Sequence, residues 1–280
     1  MVAMTEDEPQ SRIVRVIERV KAHPVRVVIV AVVGTIGFVW LAVDLGARTY
    51  DAIDGWLHPH SEQYAELAQL DLDSRLSYLE GEMGTAKQVV DLCADQVVDC
   101  PRGAPPLLMY VHESDDLVVR SVFEKDSLEL YAVTRVSDRL APPMRWLDWD
   151  LGDLGDVTFA EATEAPGVEP TSAWVWMGPR GSAYAEVVTA GAAGRYRGLL
   201  LGWARDGYGG PDAAFDVESA NELQTQSLAG EPYDTRTLAA FRAGTTPNTW
   251  GEFRDDGGTV GGLAHDAEQV MLLLSVGAGA

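Results

Sequence analysis

Hydrophobic and polar positions follow three patterns along the chain. From Val27 to Val43 seventeen residues pass without a charged side chain. At about 1.5 Å per residue such a helix reaches roughly 26 Å, the lower end of what spans a hydrocarbon core. Before that run, SRIVRVIERV sets Ile13, Val14, Ile17 and Val20 on one face of a short helix, which Pro24 breaks or bends. Well beyond it, alternation takes over. LLMYVH (107–112), LVVRSVF (117–123) and LELYAVTR (128–135) read as strands joined by short polar links, hence as antiparallel hairpins. Strict alternation puts Leu128, Leu130 and Ala132 on one face, and Glu129, Tyr131 and Val133 on the other.

A helix precedes these strands: Leu76, Leu79 and Met83 share a helical face in LDLDSRLSYLEGEMG, with Asp73 or Ser74 as N-cap and Gly84 as stop. A similar arrangement follows 81 residues later. Leu151, Val157, Thr158, Phe159 and Glu161 fall opposite Leu70, Leu76, Ser77, Tyr78 and Glu80, and AWVWMG (173–178), SAYAEVVTA (182–190) and RYRGLLLGWA (195–204) follow as strands. The fold expected is α+β: an N-terminal transmembrane helix, then an exported domain of two helix-plus-three-stranded antiparallel meander units. The divisions are a cytoplasmic stub (1–24), anchor (25–45), juxtamembrane linker (46–63), first unit (64–140), second unit (141–210) and an irregular extension (211–280). Within the extension DVESANELQTQSL reads as helix, FRAGTTPNTWGEFRDDGG as loop, and GGLAHDAEQVMLLLSV as a terminal helix or strand too short to span a membrane.

Charge orients the anchor. Arg12, Arg15, Arg19, Lys21 and Arg26 precede the apolar run, whereas Asp44, Asp51 and Asp54 follow it with Arg48 as the near cation. The positive-inside rule keeps the N-terminus cytoplasmic and exports the rest. A cleaved signal would carry a shorter apolar stretch and a small-residue cleavage site, which DLGARTYDA supplies poorly. The partner expected for Val27 to Val43 is therefore the lipid bilayer, with the protein single-pass in the cell membrane. Residues 1–44 balance five basic against five acidic side chains, so the net charge of −22 falls on the remainder, which lacks the basic footprint of a nucleic-acid binder. In an oxidising compartment Cys93 and Cys100 of CADQVVDC are expected to form a disulfide.

An ordered set of features carries a family resemblance. These are the anchor; Tyr64, Leu67 and Leu70 followed by Tyr78, Glu80 and Gly84; LGDVTF at Leu154 to Phe159; SAYAEVVTAGAAGRYRGLLLGWARDGYG; and PNTWG at Pro247 to Gly251. Together they resemble the ETEC-type domain proteins, membrane-anchored bacterial proteins of unknown function, over roughly residues 60 to 253. The resemblance implies an anchor and a location, but no catalytic residues. At the level of fold the units look like the small lipoproteins of barrel assembly and the tandem β-lactamase-inhibitor proteins, an analogy that implies no function.

Chemistry is sparse. Nucleophile-elbow, zincin, Walker A and dinucleotide motifs are missing from the sequence. His58 and His60 read as linker, His112 as hairpin chemistry, and His265 as bland. Asp148, Asp150 and Asp153 in DWDLGDLGD are the candidate metal ligands, with calcium as the one cofactor considered, against a solvated turn whose Asp156 caps the next helix. Trp146, Trp149, Trp174, Trp176 and Trp203 read as core before they read as a ligand groove. Arg180, Asn248, Trp250 and Trp176 are the candidate binding residues, being polar or aromatic and carried on or beside loops. The expected function is a non-enzymatic binding or assembly module for an envelope protein or component, set against an envelope hydrolase or metal-dependent enzyme and a ligand sensor.

Overall fold

A computed structural model describes residues 61–280 apart from 68–69, 99, 101, 165–167, 179–181, 193–194, 205–214, 256–259, 261–265 and 276–280. No helix among the described residues is long and apolar enough to cross a membrane; Val27 to Val43 lies outside them, as do the short helix expected in SRIVRVIERV, His58, His60, His265 and Arg180.

The architecture is α+β and centres on one eight-stranded sheet in which every neighbouring pair is antiparallel. Strands β1 (Gln88–Asp91), β2 (Leu107–Glu113), β3 (Leu117–Glu124) and β4 (Ser127–Arg135) form a meander, and so do β7 (Ser172–Met177), β8 (Ser182–Ala192) and β9 (Arg195–Ala204). Between the two meanders lies β10 (Thr249–Arg254), giving the order β1-β2-β3-β4-β10-β9-β8-β7. A separate hairpin joins β5 (Pro143–Trp146) to β6 (Trp149–Asp153). Helices α1 (Ser61–Leu67), α2 (Leu76–Met83), α3 (Phe159–Ala162), α4 (Val217–Leu228), α5 (Thr235–Gly244) and α6 (Ala267–Ser275) complete the described elements.

Both faces of the sheet are covered, which is why β3 and β4 are buried along almost their whole length. On one face Leu79 of α2, Phe159 of α3, Leu223 of α4, Phe241 of α5 and Trp146 of the hairpin join Tyr131, Val133, Leu199 and Leu201. On the other, Ala267, Val270 and Leu273 of α6 and Leu92 and Val98 of the disulfide loop pack on Val118, Val122, Leu130 and Phe253. That loop is closed by Cys93–Cys100, with Cα atoms 5.5 Å apart, and Asp91 Oδ1 accepts from the backbone N–H groups of Cys93 and Ala94. Burying an apolar side chain of this size contributes about 1.5–3 kcal/mol, so the two cores together hold the layers.

Several local expectations are corrected. Register shifts beside Phe123, where Val122 faces Leu130 but Phe123 faces Leu128, leaving Glu129 as an extra residue. The bulge turns Leu128 to the face of Tyr131, so strict alternation fails at that point. The N-cap of α2 is Arg75 and makes no side-chain cap bond, so neither Asp73 nor Ser74 caps it. Asp156 does not cap α3 either: Thr158 does, in a capping box with Glu161. The stretch expected to be loop at 241–258 contains the end of α5 and all of β10.

Gly251 makes the placement of β10 possible. A Cβ there would stand 2.1 Å from the Tyr131 carbonyl oxygen and 2.9 Å from Ala132 Cα, so only glycine admits so close an approach of neighbouring backbones. At the outer edge, side chains occupy the donors that β7 turns away from the sheet. Val175 N–H donates to Tyr233 Oη at 3.2 Å, and Met177 N–H to Gln224 Oε1 at 3.0 Å.

Candidate functional site

The register of β10 builds the site. Trp250 and Glu252 lie two residues apart and so share a face, opposite Val133 and Tyr131 of β4 and Leu201 and Leu199 of β9. Glu252 is nearly buried and holds two donors. Tyr131 Oη donates to its Oε1 at 3.0 Å, and Arg197 Nη1 approaches its Oε2 at 3.3 Å. The other arm of Arg197 reaches Asp71 Oδ1 at 3.0 Å. Trp250 meets Tyr131 edge to face, with ring centres 5.7 Å apart.

These groups lie at a cavity of about 410 Å³ whose walls include Tyr64, Leu70, Pro143, Arg145 and Leu147. Tyr64 is tied to Ala141, donating to its carbonyl oxygen at 3.2 Å and accepting from its N–H at 3.3 Å, which fixes one wall. Leu147 belongs to the two-residue turn between β5 and β6. Its φ of 54° places a non-glycine residue in the left-handed region, and its side chain is 46% exposed.

Burial sets the electrostatics. It pushes the Glu252 carboxyl up, against the Tyr131 hydrogen bond and the Arg197 charge that favour ionisation. The same burial, followed by the neighbouring Glu252, carries the Tyr131 hydroxyl well above its usual value, so it remains a donor. For Arg197 burial works against the charge, but Asp71 and Glu252 more than offset it.

A second buried pair lies elsewhere. Arg242 Nε of α5 is 2.6 Å from Glu186 Oε1 of β8; Tyr184 Oη donates to the same oxygen at 2.5 Å, and Arg242 also bonds Thr163 Oγ1. This cluster fastens α5 and the end of α3 to the sheet. A smaller cavity of about 150 Å³ is lined by His112 with Glu66, Lys87 and Glu113. Burial pushes the His112 imidazole down, outweighing the Gly84 backbone and Glu80, and it is neutral at pH 7.

Of the described candidate binding and metal residues read from sequence, Trp250 alone lines the larger cavity. Asn248 is buried just before β10, where its backbone bonds both Arg135 and Gly202 and its Oδ1 accepts from Thr249. Trp176 is 40% exposed on β7 and lies against Gly178. Asp148 occupies the β5–β6 turn, Asp150 folds back on Gly152 N–H at 3.1 Å, and Asp153 ends β6. Among the described residues no three His, Cys, Asp or Glu side chains assemble as a metal-binding group, and the His112 cavity includes none of these aspartates. Tyr131, Arg197, Glu252, Asp71 and Arg145 are not evident from sequence, though the alternation of Trp250, Glu252 and Arg254 within TWGEFR was a signal.

No family model matches the chain, so that comparison lends nothing to the ETEC-type resemblance. The curated proteins give no match. Among solved structures the chain shows a likeness to a "putative beta-lactamase inhibitor protein" from Streptococcus mutans, 13% identical over 47% of this chain and 76% of that one, with a TM-score of 0.21. A likeness that weak carries no argument about fold or function.

Proposed function

We propose that the chain is a single-pass, membrane-anchored protein whose exported domain is a binding or assembly module for an envelope component. In this reading residues 1–24 stay in the cytoplasm, 25–45 span the bilayer, and 46–63 link the anchor to two helix-plus-meander units and a C-terminal extension. The uncharged run at Val27 to Val43, with basic residues before it and acidic residues after it, supports the anchor. The disulfide fits an oxidising compartment.

The observation that carries the binding role is the cavity at Trp250 and Glu252. It joins aromatic walls to a few fixed polar groups, the usual make-up of a ligand site. Tyr131, Glu252, Arg197 and Asp71 hold one another in a network along its wall.

The test is crosslinking in intact cells through a C-terminal tag, comparing wild type with Trp250→Phe. Enrichment of one envelope component, lost in the variant while the fold persists, supports the module. Recovery of the chain in the soluble fraction without the membrane refutes the anchor, and unchanged capture by the variant refutes the site.

A further inference from the structure

The larger cavity has an uneven balance of donors and acceptors. Three of its carboxylate oxygens are committed: Glu252 Oε1 to Tyr131, Glu252 Oε2 to Arg197, and Asp71 Oδ1 to both Arg197 and the Asp73 N–H. Two of its donors are not. The indole N–H of Trp250 is buried with no acceptor among the described residues, although Trp250 is only 5% exposed. A buried donor left unpaired is destabilising, so such a group calls for an acceptor. Arg145 stands exposed at the rim and, among the described residues, has neither an acidic partner nor a hydrogen bond. The remaining walls, Tyr64, Leu70, Pro143 and Leu147, are largely apolar.

We infer that this cavity takes a carboxylate attached to an apolar body. Arg145 supplies the planar fork that matches a carboxylate, the Trp250 N–H is a second unpaired donor on its wall, and the apolar walls receive the body. A cationic ligand would meet Arg145 and compete with Arg197 for Asp71 and Glu252. The carboxylate can belong to a free acid or to the C-terminus of a peptide, and the chemistry at Arg145 is the same for both. The inference rests on the binding role proposed above and adds the class of ligand.

The experiment uses the full chain in lipid nanodiscs, with empty nanodiscs as the blank, and isothermal titration with 3-phenylpropionate, its amide and 3-phenylpropylamine. The peptide Gly-Gly-Phe, with a free and with an amidated C-terminus, forms a parallel arm. Both acids are expected to bind and the amides and amine to fail. Arg145→Gln, an exposed change that leaves packing untouched, should weaken the acids about ten- to a hundredfold, as expected for a lost hydrogen bond to a charged group. Trp250→Phe should also weaken them, with folding checked by intrinsic fluorescence. Tighter binding of one acid identifies the source of the carboxylate. Failure of both acids up to about 10 mM, equal binding of the amine, or indifference to Arg145→Gln overturns the inference. If the acids fail while the crosslinked envelope component is still lost in Trp250→Phe, the ligand class is wrong and the binding role stands. If both fail, the site itself is wrong.

Discussion

Replacing Arg242 by methionine isolates the cost of a buried charge. The guanidinium lies 2.6 Å from Glu186, whose side chain has no solvent exposure, and it also donates to the Phe159 carbonyl at 3.4 Å and to Thr163. Methionine keeps much of the aliphatic volume and removes the charge. Glu186 then faces a low-dielectric interior with only Tyr184 as a described partner. Breaking one side of a buried pair costs about 3–5 kcal/mol, a large part of the roughly 5–15 kcal/mol by which a domain is stable. The loss should depend on pH with a definite sign. Burial already raises the Glu186 carboxyl above its ordinary value, and Arg242 is the first influence opposing that rise. Without Arg242 it climbs further. A raised folded-state value contributes stability that is fully present below the unfolded value and is lost as pH rises through the folded one. The variant should therefore be most damaged near neutral pH and recover towards pH 4.5, the ordinary value for a glutamate. Urea unfolding of the full chain in detergent, followed by tryptophan fluorescence from pH 4.5 to 8, measures this. The double variant Glu186→Leu, Arg242→Met removes both charges and should return to within about 1 kcal/mol of wild type. A single-variant loss below about 1 kcal/mol, or a double variant as unstable as the single, would refute the reasoning.

Gly251→Ala should destabilise by about 1–3 kcal/mol or more, because the added methyl meets β4 backbone that cannot yield; an unchanged unfolding midpoint sinks the account of β10 packing. Replacing Cys93 and Cys100 together by serine should cost about 2–3 kcal/mol from the eight-residue loop, read as the difference between the variant and wild type under non-reducing conditions. Glu252→Gln should flatten the pH dependence of thermal stability. Wild type, whose carboxyl is raised by burial, loses stability relative to the variant as pH rises from 4.5 towards neutrality, and parallel profiles would exclude that role.

What could be read from sequence follows the strength of its periodicities. Six strands of the large sheet occupy stretches where apolar alternation is long, and Leu79 is buried in the helix where spacing places it. β10 escaped because its six residues carry a glutamate and an arginine, and because Pro247 and Asn248 immediately before it suggest a turn. Charged residues in a central strand are tolerated only when the fold brings partners to them, and here those partners lie 55 and 121 positions away. The site was illegible for the same reason. Trp250 stood out as an aromatic beside a turn, whereas Tyr131, Arg197 and Glu252 become a unit only once three strands lie side by side. β1 was missed through its brevity, and the bulge at Glu129 because it inserts a residue without altering composition.

The insertion of β10 between β4 and β9 has a temporal consequence. A ribosome or translocation pore releases the two meanders well before the strand that joins them, so each emerges with one inner edge, β4 or β9, left open. Contacts spanning more than a hundred positions form slowly, and exposed edges invite association with other chains meanwhile. The last quarter of the polypeptide is thus the keystone of assembly: a product truncated before Thr249 would hold two sheets with nothing between them, a natural target for proteases and chaperones.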